Sequence, residues 1–266
     1  MSGPQDEDSS YSVDLNCDCG EGFGPYAMGD DAAMLEIVSS ASVACGFHAG
    51  DPHIMAAVFA AAKAKGVAIG AHPGYPDLWG FGRRPQQFSL AEIERLIAYQ
   101  LGAALGVAAL AGCRISYVKV HGALSNLAMV ERDVARALAR ATKAVDRDLS
   151  FLAIAGTPLE TEGVAAGLDV AREIYADRAY TDEGLLAPRA SAGAVLTDPL
   201  AIAARVLAMI EEGALIAHSG KRVAATIDSI CVHGDHNGAV ATAKQVRMRL
   251  EAKGIRIAPF AASALK

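Results

Sequence analysis

Polar and apolar side chains alternate through one short stretch near the start of the chain, Val13-Asp14-Leu15-Asn16-Cys17-Asp18-Cys19-Gly20-Glu21. An extended strand would place Asp14, Asn16 and Asp18 on one face, because successive side chains of a strand point to opposite sides. A carboxylate buried without a partner is costly, so this face predicts a metal, a cation or a proton beside it. Glu21 extends the polar set just beyond the strand.

Six more short apolar segments follow, and all but one of them lead into ionisable side chains. The segments are residues 42–46, 67–71, 117–120, 151–155, 170–175 and 229–232, and the side chains are His48, Asp51, His72, His121, Asp177, Arg178, His233 and Asp235. Helical patterns separate the segments, and such alternation predicts a parallel sheet. In an open sheet, ligand sites concentrate at one switch point. Chemistry at nearly every strand end therefore favours an α/β fold closed into a single β/α barrel, whose active site lies at the carboxyl ends of the strands.

Helix starts are marked between the segments. Asp51-Pro52 and Asp198-Pro199 each place a capping carboxylate before a proline at the first helical position. Ser89–Glu92 has the pattern of a capping box, and Thr157–Glu160 repeats it. We therefore expect helices to begin at these four points.

Length and composition exclude several classes of protein. The 266 residues are close to the usual size of one β/α barrel, and 52% of them are hydrophobic. A formal net charge of −6 argues against a nucleic-acid partner. The longest weakly polar stretch, residues 101–111, is too short for a membrane span, so we expect none. We expect a disordered, acidic tail at residues 1–10 and a barrel catalytic domain at residues 11–266.

Five cysteines are present, which is an odd number. Most of them lie in or beside predicted strands, so we expect reduced core side chains in a cytoplasmic protein. Ala-rich helices leave a homo-oligomer as a further expectation.

Three histidines each lie at or just beyond a predicted strand end, namely His48, His72 and His121. Together with Asp18 they form a set that suits a divalent metal, and we expect Asp18, His48 and His72 as its candidate ligands. The same groups could instead act as general acid and base without a metal. Both interpretations stay open at the level of sequence.

Three basic side chains could bind an anionic substrate. Lys119 shares the face of His121, and Arg178 and Arg189 lie in the long connection 177–196, which we expect to form a binding loop. A second long connection, residues 72–88, is expected on the same face. The alternative for Lys119 or Arg178 is a structural ion pair with the carboxylates of the first strand.

The chain resembles the LamB/YcsF family, whose members are also described as the A subunit of 5-oxoprolinase. The resemblance spans about residues 13 to 257. It is carried by residues 14–21, 44–52, 70–77, 80–84, 118–124, 176–180, 188–189 and 231–235. The chain departs from the family pattern at Val120, where proline is usual, at Ser125, where tyrosine is usual, and at Ala179, where glycine is common.

The resemblance implies a seven-stranded β/α barrel of the glycoside hydrolase/deacetylase type. It also implies ATP-dependent opening of 5-oxoproline to L-glutamate together with subunits B and C, with ATP and Mg²⁺ as cosubstrate and cofactor. On this basis we expect catalytic roles for Asp14, Asp18, His48, His72, His121 and Lys119. Substrate binding is expected for Asn16, Glu21, Asp51, Arg178, Arg189, His233 and Asp235.

Two other functions remain open. The acidic and histidine side chains at the strand ends would also suit a metal-dependent, deacetylase-like hydrolase of N-acyl or sugar substrates that needs no ATP. A subunit that only binds a ligand or a partner would instead expose apolar patches.

Overall fold

The computed structural model describes residues 11–235 and 238–261, and the tail expected at residues 1–10 lies outside them. The strands in these residues are β1 (Ser12–Cys19), β2 (Ser40–Ala44), β3 (Ala68–His72), β4 (Tyr117–Lys119), β5 (Ser150–Ile154), β6 (Val170–Tyr175), β7 (Ala214–Ile216), β8 (Arg222–Ala224), β9 (Ser229–Val232) and β10 (Arg256–Ile257). Strands β1 to β6 and β9 pair in parallel, and β9 pairs with β1. The closed seven-stranded barrel is therefore confirmed.

Three strands lie outside the ring. β10 pairs in parallel with the amino end of β1. β7 and β8 form a separate antiparallel pair. β1 coincides with the alternating stretch quoted above, and the other six ring strands begin and end within two residues of the apolar segments of the sequence. Most of these six strands are buried on both faces and therefore read as apolar runs.

Helices surround the barrel. They are α1 (Asp31–Met34), α2 (Pro52–Ala64), α3 (Leu90–Leu110), α4 (Gly122–Ala128), α5 (Arg132–Val145), α6 (Pro158–Ala165), α7 (Pro199–Glu212) and α8 (Ala239–Glu251). Asp51 and Asp198 cap α2 and α7 as predicted, and the capping box of Ser89 and Glu92 is present at α3.

The second predicted capping box is wrong. The Thr157 hydroxyl donates back to the carbonyl of Ile154, so it does not cap α6. Glu160 accepts from the backbone N–H of Gly156 and pairs with Arg172 at 2.9 Å. The Ile154 carbonyl binds the Thr157 hydroxyl and Arg172 binds Glu160, so neither side chain is in position to cap α6.

The main hydrophobic core lies between the outer face of the barrel and the helices. A smaller apolar cluster of Tyr117, Leu152 and Ala171 lies inside the barrel, and Phe260 packs against it with its ring centroid 5.0 Å from that of Tyr117. Gly70 is required beside this cluster, since a Cβ there would lie 2.2 Å from the Tyr117 ring. The interior toward the carboxyl ends of the strands is polar.

Helix α3 is the one helix of the described residues whose length and composition would allow it to cross a membrane. It packs along α5, and Ile93, Ile97 and Leu101 are buried in the shared core. Because core helices of globular domains pass the same test, this single helix is weak evidence for a membrane span.

Candidate active site at the carboxyl end of the barrel

Lys119 lies at the centre of the barrel interior and is surrounded by polar atoms. Its Nζ is 2.8 Å from Asp18 Oδ1, 3.1 Å from Glu173 Oε1, 3.1 Å from Asn16 Oδ1 and 2.9 Å from Cys231 Sγ. Burial alone would lower the pKa of Lys119, but Asp18, Cys231 and Glu173 hold that pKa well above its usual value. The site therefore contains a fixed ammonium, and the ion pair of Lys119 with Asp18 is part of the structure.

Three histidines and a glutamate form a buried cluster above Lys119, which we call the histidine cluster: Glu21, His48, His72 and His121. Each residue offers one ligand atom, and these atoms all lie within 4.8 Å of one another. The rings of His48 and His121 stack with centroids 3.7 Å apart, and the His72 ring meets both edge-on.

The loop after β3 covers the histidine cluster. Phe81 lies edge-on to both stacked histidines, and its φ of 53° is the one left-handed non-glycine conformation in the described part of the chain. Backbone conformations of this kind are costly and persist where surrounding contacts enforce them, often at functional sites.

Burial disfavours the charged forms of three members of the cluster. It lowers the pKa of His48 and of His121, and the neighbouring His72 lowers both pKa values further. Burial also raises the pKa of Glu21, and the Asp18 carboxylate adds to this effect. Neutral imidazoles are the form that binds a metal.

The residues of the cluster fit a divalent cation. Both ring nitrogens of His48 and the Nδ1 of His121 are buried and have no hydrogen-bond partner among the described residues. The His72 Nδ1 donates to the backbone carbonyl of Lys119 at 2.7 Å, which leaves its Nε2 facing inward, 3.4 Å from Asp18 Oδ1. Metal-binding histidines are commonly oriented in this way.

The group of possible metal ligands that the structure brings together overlaps only in part with the one expected from sequence. Two of the expected ligands, His48 and His72, lie in the histidine cluster, and Glu21 and His121 join them. Asp18 points instead to Lys119. It also forms a second group with Cys231 and His233, but the Lys119 ammonium contacts both Asp18 and Cys231, so a cation already lies there.

A hydrogen-bonded pair lies across the barrel mouth from the cluster. His233 Nδ1 is 2.8 Å and 3.0 Å from the two carboxylate oxygens of Asp177. Tyr175 stacks on the His233 ring with centroids 5.2 Å apart. Both members of the pair are buried.

A cavity of about 490 Å³ opens above these groups and is lined by cationic side chains. Its lining residues include Asp18, His72, His121, His233, Arg83, Arg178 and Arg189. Both long connections contribute to the wall, as the sequence predicts. Val120 and Ser125, the two departures from the family pattern in the β4 motif, also line this cavity.

The arginines of the cavity have different partners. Arg178 donates to the carbonyls of Ala187 and Ala194 and so orders the long loop, and Arg83 pairs with Asp235 at 2.5 Å. Asp235 is not in the cavity wall itself, but its ion pair holds Arg83, which is.

A second cavity, of about 370 Å³, adjoins the cluster on its other side. It shares Glu21, His48 and Phe81 with the site and is otherwise mostly apolar. Its rim carries Trp79, whose side chain is 97% exposed, and Tyr26, which is 76% exposed.

Two expected site residues lie away from the mouth. Asp14 is at the amino end of β1, where it accepts hydrogen bonds from Ser39, Ser40 and Ser229. Asp51 caps α2 and also accepts from the backbone N–H of Gly24. Asn16 lies in the middle of the barrel and donates to Glu173.

The sequence interpretation missed Glu173, Tyr175 and Cys231. Alternation along β6 places Glu173 and Tyr175 on the same face, so the rule applied to β1 would have found them. Nothing in the sequence indicates that Cys231 contacts Lys119, because that contact joins residues far apart in the chain.

Comparison with known proteins gives consistent matches over nearly the full chain. The model of the LamB/YcsF family matches residues 13–265. A protein of Azorhizobium caulinodans, named as the A subunit of 5-oxoprolinase, is 57% identical, with 94% of this chain and 99% of that protein covered. A Rhodopseudomonas palustris protein of the same name is 55% identical, with 94% and 98% covered.

A solved structure has the same fold. The lactam utilization protein of Thermus thermophilus is 43% identical to this chain and superposes with a TM-score of 0.87. The match covers 93% of this chain and 99% of that protein. The barrel, its polar interior and these full-length matches agree, and the chain belongs to the LamB/YcsF family.

Proposed function

We propose that the chain is one subunit of a 5-oxoprolinase and takes part in the ATP-dependent cleavage of 5-oxoproline to L-glutamate. The observation that carries the proposal is a cavity whose wall includes Arg83, Arg178 and Arg189 together with buried carboxylate and imidazole groups. 5-Oxoproline has one carboxylate and one lactam amide, which match an arginine-lined wall and a polar floor.

The relatives support this assignment. Their shared name indicates a hydrolase-type role in 5-oxoproline metabolism, and the word subunit in it implies a multi-subunit complex. We propose that the other members of the complex are subunits B and C.

The cavity suggests a division of roles. Arg178 and Arg189 would bind the substrate carboxylate, since guanidinium groups suit carboxylate geometry. Lys119 would hold Asp18 in its charged form, because the two side chains form a buried ion pair. The residues from 11 onward would then form the catalytic domain.

ATP with Mg²⁺ would activate the lactam by phosphorylation. The sequence has no G-x-x-x-x-G-K-[ST] motif for binding phosphates. We therefore propose that the nucleotide site is completed by the partner subunits. The five free cysteines support a cytoplasmic location.

The test is glutamate release from 5-oxoproline with Mg²⁺-ATP, measured for this chain alone and for its mixture with subunits B and C. We expect glutamate only from the full mixture. Lys119→Met should abolish it, whereas Lys65→Met, which removes an exposed ion pair with Glu36, should not. A folded, assembled mixture that releases no glutamate would reject the substrate.

The histidine cluster favours a second candidate function, a metal-dependent hydrolase acting without ATP. Glu21, His48, His72 and His121 would hold the ion, which would supply Lewis acidity toward a carbonyl oxygen or a water molecule. The specific observation in its favour is that both ring nitrogens of His48 and the Nδ1 of His121 are buried with no hydrogen-bond partner in the described part of the chain.

Zinc titration followed by calorimetry tests the cluster directly. We expect one ion per chain, with weaker binding after His121→Ala and unchanged binding after His53→Ala, which removes an exposed histidine of α2. Amide hydrolysis that is lost on chelation and indifferent to ATP would favour this function over the first.

A further inference from the structure

We propose that Asp177 and His233 form the proton-transfer pair of the ring-opening step, with His233 as the catalytic residue and Asp177 as its positioning residue. The inference rests on the proposed lactam cleavage and assigns the base that this reaction requires. It is carried by the position of the pair: His233 lines the arginine-rich cavity, and both Asp177 carboxylate oxygens lie within 3.0 Å of its Nδ1.

The hydrogen bond fixes which nitrogen of His233 is available. A carboxylate accepts, so the Nδ1 of His233 carries a proton and donates it to Asp177. The Nε2 of the neutral ring then has a free lone pair. A histidine held by a carboxylate in this way can take a proton and pass it on.

Packing holds the ring in place. Tyr175 stacks on one face of the His233 imidazole, at an interplanar angle of 29°. Asp177 is 1% exposed and lies two residues beyond the end of β6, so its carboxylate is anchored to the rigid barrel. A base that is fixed from two sides is suited to one reacting geometry.

The other cavity histidines are bound differently. His72 donates its Nδ1 proton to a backbone carbonyl, and the His121 Nδ1 has no hydrogen-bond partner among the described residues. His72 Nε2 also lies 3.4 Å from Asp18, but that carboxylate is held by Lys119 at 2.8 Å, whereas both oxygens of Asp177 lie within 3.0 Å of His233 Nδ1. The orienting group of a general base is therefore found at this position.

The step starts from the lactam whose carbonyl oxygen carries the phosphoryl group from ATP and whose ring nitrogen has lost its proton. The oxygen of one water bonds to the lactam carbon, and a water proton passes to Nε2 of His233 and from there to the ring nitrogen. The C–N bond then breaks, the second proton of that water reaches the nitrogen by the same route, and His233 returns to its starting form. The products are an amine and an acyl phosphate, which a second water hydrolyses to the carboxylate and inorganic phosphate.

The test uses the full mixture with subunits B and C and the variants His233→Ala and Asp177→Asn. We expect each to lower kcat by about 100-fold or more, with a small change in KM, because general acid–base catalysis contributes this much. Added imidazole should restore activity to His233→Ala, since the cavity is open to a small base, and should not restore it to Asp177→Asn. His53→Ala is the matched control and should keep full activity without imidazole.

Rescue separates a catalytic role from a structural one. A merely structural histidine would not be replaced by free imidazole, so a folded His233→Ala that shows no rescue, or one that keeps its kcat, overturns the proposal. If His233→Ala does not fold, His233→Gln replaces it: it can still donate to Asp177 but cannot shuttle a proton, and an active His233→Gln overturns the proposal.

A second measurement does not depend on the substrate. Long-range ¹H–¹⁵N spectra of the imidazole groups should assign the proton of His233 to Nδ1 in the wild-type chain. In Asp177→Asn the ratio of the Nδ1–H and Nε2–H tautomers of His233 should change. If the wild-type mixture releases no glutamate, the proposed substrate fails, and the pair is judged by this spectrum. A wild-type spectrum that places the proton of neutral His233 on Nε2 overturns the proposed pair.

Discussion

Gly82 determines how closely the loop after β3 approaches the histidine cluster. Its φ is +63°, and a Cβ built there would lie 2.6 Å from the His48 Cβ and 2.8 Å from the His121 Nδ1. Both neighbours are rigid parts of buried side chains, so neither can move aside cheaply. The site therefore requires glycine here for conformation and for space.

Gly82→Ala should disturb the stacked histidines and lower kcat/KM for glutamate release by about 100-fold, as small displacements at a catalytic site do. Steady-state kinetics of the full mixture measures this. Gly102→Ala is the matched control: Gly102 lies within α3 with nothing within 4 Å, so alanine should stabilise the chain by about 0.5–1 kcal/mol. Wild-type activity in Gly82→Ala would contradict the argument.

Asp14 makes the stability of the barrel depend on pH. Burial raises its pKa to about 6, although hydrogen bonds from Ser229, Ser39 and Ser40 act in the opposite direction. A carboxyl whose pKa is raised by folding favours the folded state at low pH. That contribution is complete below about pH 4 and is lost as the pH rises through 6.

We therefore expect the free energy of unfolding of the wild-type chain, relative to Asp14→Asn, to fall by about 3 kcal/mol between pH 4 and pH 7.5. Urea unfolding of both proteins across this range measures the difference. Parallel curves for the two proteins would show that Asp14 has the same pKa in the folded and unfolded states.

Residue-scale prediction from sequence succeeds where local alternation decides the outcome. Asp18 and Lys119 point into the barrel as the alternation along their strands requires. The same rule placed Asp14 on that face, but it gives no depth along the barrel axis. Depth depends on where neighbouring strands start, and the pairing of Asp14 with Ser229 places it at the amino end.

Helix α3 depends at its start on two reciprocal hydrogen bonds. The Ser89 hydroxyl accepts from the Glu92 N–H, and the Glu92 carboxylate accepts from the Ser89 N–H. Ser89→Ala should lower the free energy of unfolding by about 1 kcal/mol, because a capping acceptor is lost. Glu92→Gln should change it little, since glutamine serves in the same pattern. Equal stability of Ser89→Ala and wild type in chemical denaturation would contradict this.

At the scale of elements, the sequence predicts where strands and helices occur better than it predicts caps. The pattern at Thr157 resembles that at Ser89, yet the two side chains bind different partners. Arg172 lies beside Glu160 only after β6 has joined the barrel, and that contact removes Glu160 from the capping position. A tertiary contact thus overrides a correct local signal.

The whole molecule presents an apolar rim beside its active site. Trp79 is the one tryptophan of the chain, and its nearly full exposure next to Tyr26 is typical of surfaces that bind other proteins. On mixing with subunits B and C, we expect its fluorescence to shift to the blue and Trp79→Ala to weaken assembly. Leu110→Ala, which changes an equally exposed side chain at the end of α3, should leave assembly intact.

Unchanged fluorescence in an active mixture would place the subunit contact elsewhere. The rim adjoins Glu21 and His48, so a partner seated there would also cover the histidine cluster. Subunit contact and catalysis would then be coupled through one face of the barrel.

Local patterns in the chain are enough to specify the order of strands and helices, the closed barrel and most polar groups at its mouth, because these follow from periodicity and from chemistry at strand ends. Which of those groups meet is settled only when the chain has folded. Asp18 binds Lys119, Glu21 and His121 join the histidine cluster, and Asp177 orients His233. These contacts join distant parts of the chain, and their geometry depends on strand register and loop path, which local patterns do not encode.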